Sequence, residues 1–196
     1  LDYPKGFVKA LGMVPMHYLR YYYMTGAMLK KQSEKSRVRA EEVMEIESEL
    51  MKIYRDPESC EKPEMLSRRG GAHYSLAALD LMESVFFDGG DIRVLDVRNN
   101  GTIAGLSPDA AIEVPCRVGA SGAVPLSLDP PGPEIKGLIE AVKAYEELTV
   151  EAAVKRDYGK ALLALALHPL GPDADGAEAV LADIIETHNM DIFGKL

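Results

Sequence analysis

Residues 92–118, IRVLDVRNNGTIAGLSPDAAIEVPCRV, decide the fold. Ile92 to Val97 reads as a strand, and Asn99-Asn100-Gly101 as a tight turn, because Asn and Gly tolerate the left-handed backbone that such turns need. Further on, Ile112, Val114, Cys116 and Val118 alternate with Glu113, Pro115 and Arg117. A period of two puts the apolar set on one face of a half-buried strand. Pro115 has no N–H to give to a ladder, which predicts that this strand lies at a sheet edge or beside a bulge.

The flanks of this stretch carry helical periods. Residues 1–15 read as irregular, with Pro4, Gly6, Gly12 and Pro15 as punctuation. Pro15 opens a helix on which Tyr18, Tyr21, Tyr22, Thr25 and Leu29 recur. A second helix follows Ser36 as N-cap, with Val43, Ile46, Leu50, Ile53 and Tyr54 as its apolar stripe, and Asp56-Pro57 ends it. The spacing predicts a third helix over residues 72–87, stopped by Asp88-Gly89-Gly90. Beyond the strands, Ile135, Leu138, Ile139, Val142, Tyr145, Thr149 and Ala152 form one face of a long helix. An apolar run near 161–167 ends at His168-Pro169, and Ala177, Val180, Leu181, Ile184, Ile185 and His188 share the stripe of a final helix. This order is α+β: long helices packed on a small, mostly antiparallel sheet, with residues 1–196 as one domain.

A chain of 196 residues can bury a substantial core. No apolar run approaches the roughly 20 residues that span a bilayer, and no leader pattern is seen, so neither a membrane nor secretion is expected. The net charge of −9 argues against nucleic acid as a partner. Cys60 and Cys116 form no metal-spaced cluster and read as reduced thiols of a cytoplasmic protein. The charge is uneven: residues 1–70 carry a net +2 and the remainder −11. Between Pro15 and Arg39 lie six basic residues and one acid. That stretch is either a solvated helix face or a cradle for an anionic group on a small substrate.

Ready-made sites are missing from the sequence. There is no Walker loop, no GxGxxG after a strand, no GxSxG elbow and no HExxH helix. His17, His73, His168 and His188 lack ligand spacing and read as surface or satisfied core histidines. Tyr18, Tyr21, Tyr22 and Tyr23 put four phenols within six positions. Local residue types favour aromatic packing for them. The sharper alternative is a proton-abstracting tyrosine, whose phenolate, ordinarily formed near pH 10, is stabilised by a nearby cation. Arg37 and Arg39 have the planar fork that suits phosphate, against the plainer reading of solvent-facing arginines. Arg68-Arg69-Gly70-Gly71 leads into the third helix, with close backbone packing as the favoured role of its glycines.

Several segments together resemble family 4 glycoside hydrolases, in the same order and at similar spacing. They are Tyr18-Leu19-Arg20-Tyr21-Tyr22, the run from Arg39-Ala40-Glu41-Glu42-Val43 to Met44-Glu45-Ile46-Glu47, and Arg69-Gly70-Gly71-Ala72-His73-Tyr74-Ser75. Val97-Arg98-Asn99-Asn100-Gly101, Glu113-Val114-Pro115-Cys116, Val142-Lys143-Ala144-Tyr145-Glu146 with Leu148-Thr149, and His168-Pro169-Leu170 continue the series. The resemblance implies the fold of that family's C-terminal domain, which is similar to that of lactate and malate dehydrogenases. It implies a partner in an N-terminal Rossmann-type half, which binds NAD and a divalent metal, typically Mn2+. Neither motif occurs here, and Cys60 and Cys116 do not match the metal ligand.

The implied activity is that of a 6-phospho-β-glucosidase, with α-linked 6-phosphoglucosides or galacturonides as other substrates of the family. This portion alone is expected to be inactive. A non-catalytic assembly domain is the competing reading. The family's route is oxidation, elimination, addition and reduction, outside the two-carboxylate scheme. NAD takes hydride from C3, the metal-polarised ketone acidifies the C2 proton, a tyrosine removes it, and the aglycone leaves C1. Water then adds, and the ketone is reduced again. Tyr18 matches the proton-abstracting tyrosine and Arg39 a substrate-binding arginine. The spacing between them is slightly longer than in the family, which keeps Arg37 as a substitute. Homo-oligomerisation, a phosphorylated sugar as ligand and a cytoplasmic location complete the expectation.

Overall fold

The computed structural model describes residues 3–70, 73–189 and 193. The chain order is α1 (Lys5–Leu11), a 3-10 turn (His17–Leu19), α2 (Arg20–Tyr23), α3 (Thr25–Ser33), α4 (Arg39–Tyr54), α5 (Leu66–Arg69) and α6 (Tyr74–Phe86). Strands β1 (Asp91–Arg98), β2 (Ala111–Gly119) and β3 (Gly122–Pro125) follow, then α7 (Pro133–Lys155), α8 (Tyr158–Leu167) and α9 (Ala174–Thr187). The strands form one antiparallel sheet in the order β1-β2-β3. The chain divides into two compact units. One comprises Leu1–Tyr23, Val94–Pro115 and Pro125–Leu196, the other Met24–Arg93 and Cys116–Val124.

In the first unit α7, α8 and α9 pack in sequence order. Ala152, Ala164, Ala177 and Leu181 are buried, and the small alanines let helices approach closely. Each helix has a defined start. Pro133 occupies the first turn of α7, Asp157 accepts the Lys160 N–H at 3.0 Å ahead of α8, and Asp173 accepts the Gly176 N–H at 2.9 Å ahead of α9. Lys143 of α7 donates to the Ala111 carbonyl at 2.7 Å. Asn99 is fully buried after β1. Its amide donates to the carbonyls of Ile103, Leu106 and Ser107, and its oxygen accepts the Ile103 N–H at 2.7 Å. One side chain thus organises the loop up to β2.

The second unit buries Met28, Ile46, Leu50, Cys116 and Val118. Ser84 of α6 is buried and donates to Asp91 at 2.6 Å at the start of β1. α6 carries exposed apolar side chains, Tyr74, Leu79, Met82 and Phe86, with Phe86 exposed to 81%.

The structure corrects four expectations of local structure. Within the stretch expected to be irregular, Lys5–Leu11 is a helix bounded by Pro4 and Gly12: Gly12 has φ +72° and its N–H returns to the Val8 carbonyl at 3.1 Å. The single helix expected from Pro15 is three pieces, broken at Met24 (φ −133°, ψ 35°), where the chain passes from one unit to the other. The second helix is capped at Val38 rather than Ser36, with the Val38 N–H held by the Glu41 carboxylate at 3.3 Å. β2 is the central strand, not an edge. Pro115 is accommodated there because β3 stops at Pro125, and the following Leu126 N–H reaches the Pro115 carbonyl at 2.9 Å.

Candidate functional site

The tyrosine cluster lies in the first unit and divides by role. Tyr23 packs on Phe7 (ring centroids 4.8 Å) and on Tyr22 edge-on (5.0 Å), and Arg20 lies 5.3 Å from the Tyr21 ring. Tyr3 donates to the Met16 carbonyl at 3.1 Å, which fixes the residue from which the 3-10 turn springs. Burial pushes the Tyr3 phenol up from its ordinary value, and the Arg20 guanidinium opposes that shift.

Tyr18 stands apart. It sits on the 3-10 turn, 67% exposed, with its ring edge-on to His17 at 5.5 Å. Among the described residues no group hydrogen-bonds its hydroxyl. An exposed phenol free of internal partners is what a residue acting on an external ligand requires.

The arginines lie in the second unit, around a groove of about 680 Å³ along the start of α4. Arg39 divides its fork: Nη1 pairs with Glu42 at 3.0 Å, and Nη2 donates to the Arg68 carbonyl on α5 at 2.5 Å. The Arg39 bond holds the Glu42 carboxyl below its usual value. Arg37 pairs with Glu45 at 3.0 Å and lies 3.9 Å from Glu41. Arg37, Arg39 and Arg68 line the same groove over a floor that includes Ile46 and Met65. The sequence singled out the first two. Arg68 was read only as part of a lead into the next helix, although the Arg68-Arg69 pair was the signal that could have found it.

Two further points concern that lead. Gly70 is not there for close packing: a Cβ added to it would meet nothing within 4 Å, and its φ of +97° is what favours glycine. Gly71 and Ala72 lie outside the described residues. Cys116 is buried in β2 and Cys60 is exposed. Among the described residues no group of three or more His, Cys, Asp or Glu is arranged to hold a metal ion. No helix among them is long and apolar enough to cross a membrane.

Helices on a small antiparallel sheet, with an exposed tyrosine on the Tyr-Leu-Arg-Tyr-Tyr run, define the class. Residues 4–171 match the family 4 glycosyl hydrolase C-terminal domain, and the chain belongs to that family. Within it, the chain is similar to the 6-phospho-beta-glucosidase of Thermotoga maritima, at 42% identity over 187 residues, which are 95% of this chain and 44% of that protein. It is 38% identical over 190 residues to a probable 6-phospho-beta-glucosidase of Bacillus subtilis, covering 95% of this chain and 43% of the relative. A solved structure of the Thermotoga maritima protein with manganese, NAD+ and glucose-6-phosphate matches at TM-score 0.85 and 41% identity, over 96% of this chain and 45% of that one. The chain spans less than half the length of these relatives.

Proposed function

We propose that this chain is the C-terminal, substrate-binding and assembly portion of a 6-phospho-β-glucosidase that uses NAD and a divalent metal, in particular Mn2+. The observation that carries the reading is the similarity, across 96% of the chain, to a structure that holds glucose-6-phosphate, NAD+ and manganese. The exposed Tyr18 with its unengaged hydroxyl supports it. Among the described residues no group of His, Cys, Asp or Glu is arranged as a metal centre, and the sequence carries no GxGxxG turn, so those groups belong to an N-terminal half in this reading, and the hydride chemistry is supplied there.

The chain's own contribution is proton transfer and substrate orientation. Tyr18 takes the proton from C2 of the sugar while the bond from C1 to the aglycone breaks by elimination. Arg39 contacts the substrate, and Arg37 flanks it in the same groove. The apolar face of α6 supports assembly, either with the N-terminal half or as a homo-oligomer. A cytoplasmic location completes the reading.

The test is turnover of a chromogenic 6-phospho-β-glucoside with NAD, Mn2+ and reductant. The full-length enzyme is expected to hydrolyse it and the isolated chain is not. Turnover by the pure chain would overturn this division of labour. A full-length enzyme inert towards every 6-phosphoglucoside would favour a non-catalytic assembly domain instead.

A further inference from the structure

The groove on the second unit has an uneven charge pattern. Its three glutamates each have a cation of their own: Glu42 has Arg39 at 3.0 Å, Glu45 has Arg37 at 3.0 Å, and Glu49 has Lys52 at 2.5 Å. Arg37 and Arg39 are therefore both committed. Arg68 is the lining cation that remains. Among the described residues its guanidinium meets no carboxylate and no other acceptor. The next residue, Arg69, is taken by Glu47 at 3.1 Å. Glu64, one turn earlier, lines an adjoining hollow with Arg68 without pairing to it.

An uncompensated guanidinium on an open groove attracts anions. Its planar fork offers two parallel N–H donors, the geometry that a phosphate oxygen pair accepts. Arg39 is joined to Arg68 through the Arg68 carbonyl, so the two residues form one structural unit at the groove. The bond from Arg39 to Glu42 is exposed on both sides and can exchange for a stronger anion at little cost.

We propose that Arg68 is the recruiting contact for a phosphate monoester dianion in this groove, with Arg39 as the second donor once Glu42 yields it. The inference rests on the phosphorylated-sugar reading above and adds a residue to it. A sugar phosphate and free inorganic phosphate share the recognised chemistry. The dianion is favoured over the monoanion, so binding strengthens as pH rises through the second phosphate ionisation near 6.

The experiment is titration of the 196-residue chain with glucose 6-phosphate, inorganic phosphate and glucose, followed by calorimetry and backbone amide shifts. Glucose 6-phosphate is expected to shift amides within residues 37–49 and 65–69, and glucose is not. Arg68→Gln is expected to weaken binding about tenfold or more, since a charge-assisted hydrogen-bond pair is lost. Arg69→Gln removes the same net charge from the adjacent position and should change binding by no more than about twofold. Neither phosphate compound shifting the groove amides overturns the proposal, as does an equal loss in the two variants. Inorganic phosphate binding as tightly as glucose 6-phosphate would support Arg68 as a dianion contact while removing the sugar from this groove. An unchanged KM for 6-phosphoglucosides in full-length Arg68→Gln would overturn the role of Arg68 and leave the enzyme reading intact.

Discussion

Arg39 donates from α4 to the backbone carbonyl of Arg68 on α5, at 2.5 Å, while its other terminal nitrogen pairs with Glu42 at 3.0 Å. This divided fork needs a planar guanidinium; a lysine can serve one acceptor but not both in the same geometry. Arg39→Lys in the full-length enzyme is therefore expected to raise KM for a 6-phosphoglucoside about tenfold, with a smaller change in kcat. Steady-state kinetics check this. Unchanged KM would remove Arg39 from substrate binding and turn attention to Arg37.

Asn99 gives the sharpest stability prediction. Asn99→Ala removes four hydrogen bonds made by a fully buried side chain and takes the side-chain partners from the Ile103 N–H and the Leu106 carbonyl, at a cost of roughly 2–4 kcal/mol. Asn99→Asp should be at least as harmful, because it replaces a donor facing three carbonyls with an acceptor. Urea unfolding measures both. Either variant within about 0.5 kcal/mol of the parent, the range of ordinary surface substitutions, would contradict the network.

Glu151 links α7 to α8. Hydrogen bonds from Lys155 (2.8 Å) and then Lys160 bring its carboxyl from 4.5 down to about 2. A depressed carboxyl stabilises the fold above its unfolded pKa, and the contribution is lost as pH falls through the folded value. The gap between the parent and Glu151→Gln should therefore be constant above about pH 5 and close between there and about pH 2. The Lys160 ammonium is raised chiefly by the same bond. On the alkaline side that bond is fully in place below the ordinary lysine pKa of 10.5 and is lost as pH rises through the raised value. Urea unfolding across the acid range decides; a gap that does not narrow contradicts the assignment.

The exposed face of α6 predicts self-association of the isolated chain. Tyr74, Leu79, Met82 and Phe86 present a helical stripe that carries no charge. Phe86→Lys together with Met82→Lys should shift light scattering towards monomer without loss of helicity. A parent chain that stays monomeric at high concentration counts against assembly through this face.

Much of the fold was legible because burial imposes a period. Ile112, Val114, Cys116 and Val118 alternate in the sequence, and all four are buried in β2. At helical spacing the expected stripes are buried only in part: Ala152 of α7 and Ala177 and Leu181 of α9 are buried, whereas Val180 and Ile184 stay exposed. What escaped was decided by context. Pro4 and Gly12 punctuate a short helix as readily as a loop, and the break at Met24 lies where the chain changes units, not where the local pattern stops. Pro115 argued for an edge, which holds only for a strand whose neighbour runs its full length.

The site was legible unevenly for a related reason. The tyrosine run fits packing and chemistry equally well on residue types. The packing of Tyr23 on Phe7, against a Tyr18 that stands exposed, is a tertiary fact. The Arg68-Arg69 pair is visible in the sequence, but which of the two guanidiniums is taken by an acid, Arg69 by Glu47, is decided by the fold.

The central claim, that Tyr18 removes the C2 proton, is tested most directly by hydrogen exchange. The full-length enzyme and its Tyr18→Phe variant would be incubated with substrate in deuterated solvent, and deuterium at C2 followed alongside turnover. Phenylalanine keeps the ring and deletes only the hydroxyl, so NAD binding and fold should persist while exchange and turnover fall together by about 10²–10⁴-fold. Full exchange and full turnover in Tyr18→Phe would contradict the account, and loss of both in Tyr21→Phe instead would move the base one helical turn along the chain.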